Sequence, residues 1–413
     1  MILVNISNIW WLPGRMKRNL AMFTYLLKSS GALNSGVYIN KIKVCRDRLA
    51  DYFATPEVTD IAKHRVGRKS VTVLQPLTGL PFSYRSVAVA RASASLLARR
   101  IRKSFDEPYL LWINTISPLE CALAEVLAEG ADHVVFDSSD DMTTLEHSDP
   151  GVARQRLERT LRIADSVLCV NQHVYDLIEH PNKRIFRNCT TFETLQRTQP
   201  NFKLAPWYPK KPGATYIGFI GSITEDRIDR ALLDVAFSRL PHCTFLFYGY
   251  CDSLPLAQYL RSYPNVRVLD PVPNDDLGEV IRGFDVAIVP HRDNTSTRGN
   301  DLLKVMDYFA CGVPVVSTGV SDVQAYGAAV RVASNPADFA NRIQELLAGT
   351  DRYDSSLAIS IAHERSWERQ VPRLSEWLIP QQNGKRRFCH DQRERPANQH
   401  QNLITPDTGP TFA

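Results

Sequence analysis

Short apolar runs alternate with longer amphipathic segments along most of this chain, and this alternation constrains the fold more than any other feature. Five runs of strand length occur before residue 190: Ile2–Ile6, Val71–Leu74, Tyr109–Ile113, His133–Phe136 and Ser166–Val170. Segments of helix length lie near residues 15–30, 85–104, 117–129, 152–164 and 173–180. Because apolar strands that alternate with helices are typical of a parallel sheet covered on both faces, the pattern predicts an α/β fold.

A second series of the same kind follows a polar, proline-containing segment at residues 191–213. Its predicted strands are Tyr216–Ile220, Cys243–Tyr248, Val266–Leu269, Asp285–Val289 and Val315–Ser317, with helices near 228–239, 255–262, 275–282 and from Asn300. We therefore predict two Rossmann-like, doubly wound domains, 1–190 and 214–380, joined by a linker at 191–213. The carboxyl ends of the two sheets should face a ligand cleft.

The end of the chain differs in composition from both series. A helix is predicted at residues 366–378, and residues 381–413 are rich in Gln, Asn, Arg and Pro and poor in apolar residues. Such a segment cannot bury enough apolar surface to fold, so we predict a disordered tail.

Residues 300–317, NDLLKVMDYFACGVPVVS, contain the most informative motif. A helix starting at Asn300 should end at Gly312 and lead through Pro314 into a buried strand. Lys304 and Asp307 lie three residues apart and project from one face of this helix. That helix follows the carboxyl end of a predicted strand, which is where open α/β sheets bind ligands.

This motif resembles the nucleotide-sugar site of GT-B glycosyltransferases, and the resemblance extends over most of residues 1–380. It implies the GT-B fold, with the helix at 366–378 crossing back to the first domain. It also implies that Lys304 binds the donor diphosphate and that Asp307, at a position where Glu is usual, accepts hydrogen bonds from ribose. A plain surface ion pair is the alternative for these two residues. Many retaining members have another Glu where this chain has Gly299, so the stereochemical outcome stays open.

Other parts of the second domain follow the order of the family. The segment 216–229 is similar to its glycine-rich first strand and turn, which makes Gly221 and Arg227 candidate donor contacts; a simple strand-to-helix turn is the alternative. Gly249, at the end of the next predicted strand, resembles the family's glycine that lies beside the nucleotide base. In the polar loop 290–299, His291 and Arg298 are candidate contacts to donor sugar and phosphates, against the alternative that they are solvent-exposed loop residues.

The first domain is expected to hold the acceptor. Trp10 or Trp11 is a candidate for stacking on a sugar, and Arg15 or Arg18 for binding an acceptor phosphate; one tryptophan is equally compatible with the core. The cluster after the strand at 133–136 includes Asp140 and Asp141. Either one is a candidate general base for an inverting reaction, or it caps the next segment or binds a cation.

Charge is distributed unevenly along the chain. Residues 1–105 contain 18 lysines and arginines against 4 acidic residues, a net charge of +14, whereas the whole chain has +5. Arg91, Arg99, Arg100, Arg102 and Lys103 lie in one amphipathic segment. An anionic membrane surface and plain solvent are equally compatible with that segment. Nucleic acid is not expected as a partner, because interleaved aromatics and recognition motifs are missing.

These features together predict a glycosyltransferase that uses a nucleotide-diphosphate sugar, with no cofactor and no metal. The acceptor is expected to be a saccharide, such as a lipid-linked one in cell-surface polysaccharide synthesis. The eight cysteines form no Cys-x-x-Cys pair, and neither a signal peptide nor a spanning helix is recognisable. We expect a cytoplasmic protein, peripheral at most on the inner face of the membrane. A nucleotide-sugar epimerase of the same fold and a catalytically silent nucleotide-sugar-binding protein are the alternatives.

Overall fold

The computed structural model describes residues 1–7, 9–11, 18–44, 57–78, 86–145, 149–197 and 212–378. Residues 1–379 form one compact unit. Within it, one sheet is built from residues before 190 and another from residues after 214; we call the two parts the N-terminal and C-terminal lobes. The predicted tail at 381–413, most of the predicted linker (198–211) and Arg15 lie outside the described residues.

The N-terminal lobe is organised around a sheet of nine described strands. They are β1 (Ile2–Ile6), β2 (Ser35–Ile39), β3 (Lys43–Val44), β4 (Glu57–Val66), β5 (Lys69–Thr78), β6 (Tyr109–Ile113), β7 (His133–Ser138), β8 (Ser166–Cys169) and β9 (Lys183–Ile185). The order is β3-β5-β2-β1-β6-β7-β8-β9, all parallel, and β4 pairs antiparallel with β5. The strand order reverses between β1 and β6, so this lobe is doubly wound.

Helices cover both faces of this sheet. They are α1 (Arg18–Ser29), α2 (Val87–Arg102), α3 (Pro118–Ala128), α4 (Met142–Leu145), α5 (Pro150–Ile163) and α6 (Gln172–Leu177). The next helix, α7 (Phe192–Arg197), packs on the C-terminal lobe instead. Local sequence fixes their starts: Ser86 caps α2, and Asp149 caps α5 immediately before Pro150 at the first helical position. On one face of the sheet, the hydrophobic core contains residues of β1, β6, α2 and α3. On the opposite face, a second core contains residues of β1, β6 and α1.

The C-terminal lobe has a sheet of six described strands, all parallel, in the order β12-β11-β10-β13-β14-β15. These are β10 (Tyr216–Ile220), β11 (Thr244–Tyr248), β12 (Val266–Leu269), β13 (Val286–Val289), β14 (Val315–Thr318) and β15 (Arg331–Ala333). The order reverses between β10 and β13. A crevice for ligands is therefore expected beyond the carboxyl ends of these two strands.

Eight described helices belong to this second half of the chain. They are α8 (Arg230–Arg239), α9 (Leu254–Arg261), α10 (Leu277–Arg282), α11 (Thr295–Arg298), α12 (Leu303–Ala310), α13 (Pro336–Ala348), α14 (Ser355–Glu364) and α15 (Trp367–Leu378). The last of them, α15, packs on α1 of the N-terminal lobe, where the Tyr25 hydroxyl lies 2.8 Å from Glu368 Oε1. The prediction of two doubly wound sheets with a helix crossing back is confirmed.

Several local predictions differ from the structure. Residues 192–197, assigned to the linker, form α7, which packs against α10 and α12. The helix expected from Asn300 begins at Leu303, and a separate turn of helix, α11, occupies the loop before it, where Asn294 and Thr297 form a capping box. The sequence analysis did not predict β2, β3, β4, β9, β15, α4, α13 or α14.

Candidate functional site

The crevice between β10 and β13 contains the side chains expected to bind a donor. Gly221 follows β10, His291 lies two residues beyond β13, and Lys304 projects from the first turn of α12. The Lys304 ammonium lies 3.2 Å from His291 Nε2 and 4.0 Å from the centre of the Phe219 ring. The Lys304 ammonium therefore lies beside the carboxyl ends of β10 and β13, where the order of strands reverses.

Burial determines the charge state of these two side chains. Loss of solvent, with the nearby charge of Arg227, lowers the pKa of Lys304 to about 7. The pKa of His291 is held well below its ordinary value by burial and by the charges of Lys304 and Arg227. The imidazole is thus neutral, and its Nδ1 is buried without a hydrogen-bond partner among the described residues. A bound anion would favour the ammonium form of Lys304.

Arg227 is held beside this pair by backbone hydrogen bonds between two loops. Its carbonyl accepts from the Arg292 amide at 2.7 Å, and the Asp229 amide donates to the Pro290 carbonyl at 2.9 Å. The side chain is half-buried, and Asp226 is 4.0 Å from its Nε, which has no hydrogen-bond partner among the described residues. Together Arg227 and Lys304 form a cationic site suited to a diphosphate.

Two glycines let the backbone approach this site closely. Gly249 has a φ of +156°, and a Cβ on it would lie 1.8 Å from the Gly221 carbonyl oxygen. Gly221 has a φ of +139°, and a Cβ on it would lie 3.0 Å from the Lys304 ammonium. Side chains at these positions would displace the turn that borders the crevice.

Asp307 lies on the same helix but is engaged differently from the expectation. It is buried, and its Oδ1 accepts a hydrogen bond of 2.7 Å from the Thr190 hydroxyl. Burial raises the pKa of Asp307 to about 7. It is therefore not a plain surface partner of Lys304, and its assignment to ribose hydroxyls stays a prediction.

Arg298 does not join the cationic site. It is exposed at the end of α11, and its guanidinium pairs with Asp293 at 2.7 Å. Arg298 is thus placed as the alternative described it, as a solvent-exposed residue. An ion pair between two exposed side chains contributes little to stability.

The N-terminal lobe contributes Asp140 and Asp141 near Gly299. Asp141 accepts hydrogen bonds from the Thr143 amide at 3.0 Å and hydroxyl at 2.6 Å, so it caps the turn into α4. Asp140 Oδ1 accepts from the Asp141 amide at 2.9 Å. Burial raises the pKa of Asp140 to about 6, against the opposing charge of Arg227. Of the two carboxylates, Asp140 accepts one hydrogen bond among the described residues and Asp141 accepts two.

The acceptor-side candidates have separate environments. Trp10 is 37% exposed, with the Lys43 ammonium 5.0 Å from its ring centre. Trp11 packs on Tyr38 and Phe23 and stacks on His64, so it is the tryptophan of the core. Arg18 is buried in an ion pair of 2.7 Å with Asp137 and is not placed to bind an acceptor phosphate.

The basic segment at 87–105 forms α2, and its apolar residues Leu97, Ile101 and Phe105 are buried in the core. Those three residues are therefore unavailable for insertion into lipid, whereas Val87 and Leu96 of the same segment are exposed. Arg91, Arg99 and Lys103 remain exposed. No helix of the described residues is long and apolar enough to cross a membrane.

Sequence reasoning missed the residues that join the two lobes. Asn171 Nδ2 donates to the carbonyls of Arg298 and Asn300 at 3.1 and 3.2 Å. Asp301 accepts from the Asn188 amide at 2.6 Å and from Arg365 at 2.7 Å. These partners are more than a hundred residues apart, or separated by several elements, so spacing alone gave no signal. In the described ranges, no group of three or more His, Cys, Asp or Glu residues is arranged to hold a metal ion.

The site lies in the part of the chain that matches a known family model. Residues 214–349 match the model of glycosyl transferases group 1. This part of the chain is therefore similar to that family. Gly221, Arg227, Gly249, His291 and Lys304 all lie within it. No curated protein sequence matches the chain.

Solved structures with the GT-B glycosyltransferase fold resemble the chain well beyond residues 214–349. An E. coli structure described as trehalose-6-phosphate bound with UDP-2-fluoro glucose has a TM-score of 0.64 at 11% identity, covering 92% of this chain and 99% of that one. Anabaena Alr3699/HepE in complex with UDP and glucose has a TM-score of 0.62 at 13% identity, and the match covers 92% of this chain and 99% of that one. Sucrose-phosphate synthase from Thermosynechococcus elongatus has a TM-score of 0.58 at 15% identity, and the match covers 91% of this chain and 94% of that one. The resemblance to GT-B proteins is thus confirmed at the level of the fold.

Proposed function

We propose that this protein transfers a sugar from a nucleotide-diphosphate sugar to an acceptor held by the N-terminal lobe. The observation that supports this most is the position of Lys304 and Arg227 at the strand-order reversal of the segment that matches glycosyl transferases group 1. A departing diphosphate gains negative charge. Fixed cations at that point stabilise the transition state more than the ground state.

In the proposed reaction, an acceptor hydroxyl oxygen forms a bond to the anomeric carbon. The bond from that carbon to the diphosphate oxygen breaks, and its electron pair leaves with the diphosphate. Lys304 and Arg227 neutralise this charge, so we propose no metal. In an inverting reaction we propose that the hydroxyl proton passes to Asp140, since the Asp141 carboxylate accepts two hydrogen bonds from Thr143 and the Asp140 carboxylate accepts one, from the Asp141 amide.

For the acceptor we propose a lipid-linked saccharide used in cell-surface polysaccharide assembly, met at the cytoplasmic face of the membrane. The charge of +14 on residues 1–105 and the exposed Trp10 support this. Since Leu97 and Ile101 of α2 are buried and only Val87 and Leu96 are exposed, attraction to anionic lipid would be mainly electrostatic.

The descriptions of the similar structures suggest which donors and acceptors to test first. Two of them name UDP with glucose or a fluorinated glucose, so UDP-sugars should lead the donor panel. Two name a phosphorylated sugar or a synthase of one, so hexose phosphates form the second class of acceptor.

The test is a panel of UDP-, GDP- and ADP-sugars, scored by thermal stabilisation and then by product analysis with each acceptor class. A ligand at 100 times its Kd should stabilise the protein by about 2.7 kcal/mol. Transfer to an acceptor supports the proposal. A donor converted to its epimer would instead make the protein an epimerase, and binding without turnover would make it a silent binding protein. The absence of any stabilisation would overturn all three.

A further inference from the structure

We propose that Gly299 is a positioning residue: the absence of a side chain there allows the N-terminal lobe to hold the Asp140 carboxylate at the edge of the cationic crevice. The donor site would then be completed by a residue from the opposite lobe. This inference deepens the proposed function and rests on it for the role of Asp140 in transfer.

The contact at Gly299 leaves no room for a Cβ. An added Cβ would lie 2.9 Å from Asp141 Cβ, 3.1 Å from Asp140 Oδ1 and 3.2 Å from the Asp141 amide nitrogen. The first of these separations is closer than real Cβ atoms approach a neighbour. Even alanine would therefore require the loop that carries the two aspartates to move away.

Backbone conformation does not explain this glycine. Gly299 has φ −71° and ψ −13°, which any residue adopts easily. The glycines at 221 and 249 have positive φ, so there the backbone itself favours glycine. At Gly299 a side chain is excluded only by the contact with Asp140 and Asp141 of the N-terminal lobe.

Residues on both sides of Gly299 are fastened to the N-terminal lobe. Asn171, which is 1% exposed, donates to the carbonyls of Arg298 and Asn300. Asp301 accepts from the Asn188 amide. Because buried hydrogen bonds are costly to break, these bonds keep the loop of Gly299 against Asp140 and Asp141.

The contact of Gly299 with Asp140 and Asp141, which we call the junction, leaves Asp140 with one oxygen that is not hydrogen-bonded to any described residue. Asp141 is fixed by Thr143, and Asp140 Oδ1 by the Asp141 amide. Asp140 Oδ2 has no hydrogen-bond partner among the described residues. The charge of Arg227 acts on this carboxyl and opposes the rise in pKa that burial causes. Asp140 is thereby close enough to the cationic site to respond to it.

The experiment compares Gly299→Ala with Gly31→Ala. Gly31 is a matched control, since a Cβ there meets nothing within 4 Å and its φ is not positive. With the donor found in the panel, Gly299→Ala should lower kcat at least tenfold and shift the acidic limb of the pH profile. Its affinity for UDP should stay within about twofold, because the loop that must move carries the aspartates of the N-terminal lobe, whereas Arg227 and Lys304 belong to the C-terminal lobe. Wild-type kcat and an unshifted acidic limb would overturn the proposal.

A second variant covers the case in which Gly299→Ala does not fold. Asn171→Ser keeps an N-cap for α6 but loses the amide donors to Arg298 and Asn300. It should change kcat and the acidic limb in the same direction as Gly299→Ala, by a smaller factor. An unchanged profile in this variant would also count against the junction.

A readout that does not depend on activity separates this inference from the proposed function. The raised pKa of Asp140 means that the folded protein loses stability relative to Asp140→Asn as pH rises from about 4 to 6. In the Gly299→Ala background this difference should shrink. If it shrinks while no nucleotide sugar is transferred, the proposed function is wrong and the junction remains. If transfer occurs and the difference is unaltered, the junction is wrong.

Discussion

The ammonium of Lys304 lies 3.2 Å from Nε2 of His291, a histidine that is only 1% exposed. Since the imidazole is neutral, its Nε2 can accept a hydrogen bond from the ammonium and orient it. The positive charge therefore remains on the lysine, at the carboxyl ends of β10 and β13. Without an anion, this site holds a cation that burial disfavours.

The first prediction concerns Lys304→Met. Turnover should fall about 10²- to 10³-fold, because the cation that stabilises the leaving group is lost. The apparent Tm should rise, because a buried ammonium is replaced by an apolar side chain of similar length. Steady-state kinetics and thermal unfolding measure both effects. Lys63→Met, at an exposed position of β4, is the control and should change neither. Turnover retained by Lys304→Met would remove this residue from the mechanism.

The second prediction is a narrow bell-shaped dependence of kcat/KM on pH. Asp140 must lose its proton to act as a base, so activity rises through pH 6; Lys304 must keep its proton, so activity falls above about pH 7. Bound diphosphate raises the pKa of Lys304, so the alkaline limb of kcat should lie higher than that of kcat/KM. In Lys304→Arg the side chain stays charged, and the alkaline limb should disappear. An alkaline limb unchanged in Lys304→Arg would assign it to another group.

Much of the sheet core could be predicted from the sequence, because buried parallel strands are continuous apolar runs. Strands without that pattern were missed. β4 pairs only with β5 and exposes Ile61, Lys63 and Arg65, so its composition is mixed. β2 contains Gly36, where a Cβ would lie 2.5 Å from the Phe23 ring, so packing against α1 required a residue that strands usually avoid.

The site was predictable where one element determines it. Helical spacing sufficed to place Lys304 and Asp307 on α12. It did not reveal that Asp307 binds Thr190, or that Arg18 pairs with Asp137, because those partners come from other elements of the fold. An arginine in a polar loop and an arginine in a buried ion pair look alike in the sequence. Only tertiary contacts distinguish Arg18 from Arg227.

The third prediction concerns the bonds that join the lobes. Asp301→Ala leaves Arg365 without its carboxylate partner in a buried setting, and such losses cost about 3–5 kcal/mol. Urea unfolding should therefore show a much lower midpoint with little change in slope. Asp293→Ala is the control, since it removes the exposed partner of Arg298 and should leave the midpoint almost unchanged. Equal midpoints for the two variants would show that the Asp301 bonds do not stabilise the fold.

The fourth prediction tests the membrane surface. Arg99 and Arg100 lie on α2, and Lys103 follows its last residue. Each contributes attraction to anionic lipid of about 1 kcal/mol, screened over a Debye length of about 8 Å at physiological salt. Reversing the three to Glu should release the protein from phosphatidylserine vesicles in cosedimentation, as should high salt. Arg239, Arg261 and Arg352 of the C-terminal lobe are exposed, and reversing them instead removes the same charge. If both triple variants lose binding equally, net charge rather than α2 is responsible. If neither loses it and salt has no effect, the membrane proposal is wrong. UDP affinity should be unchanged in both, because the donor crevice lies away from all six positions.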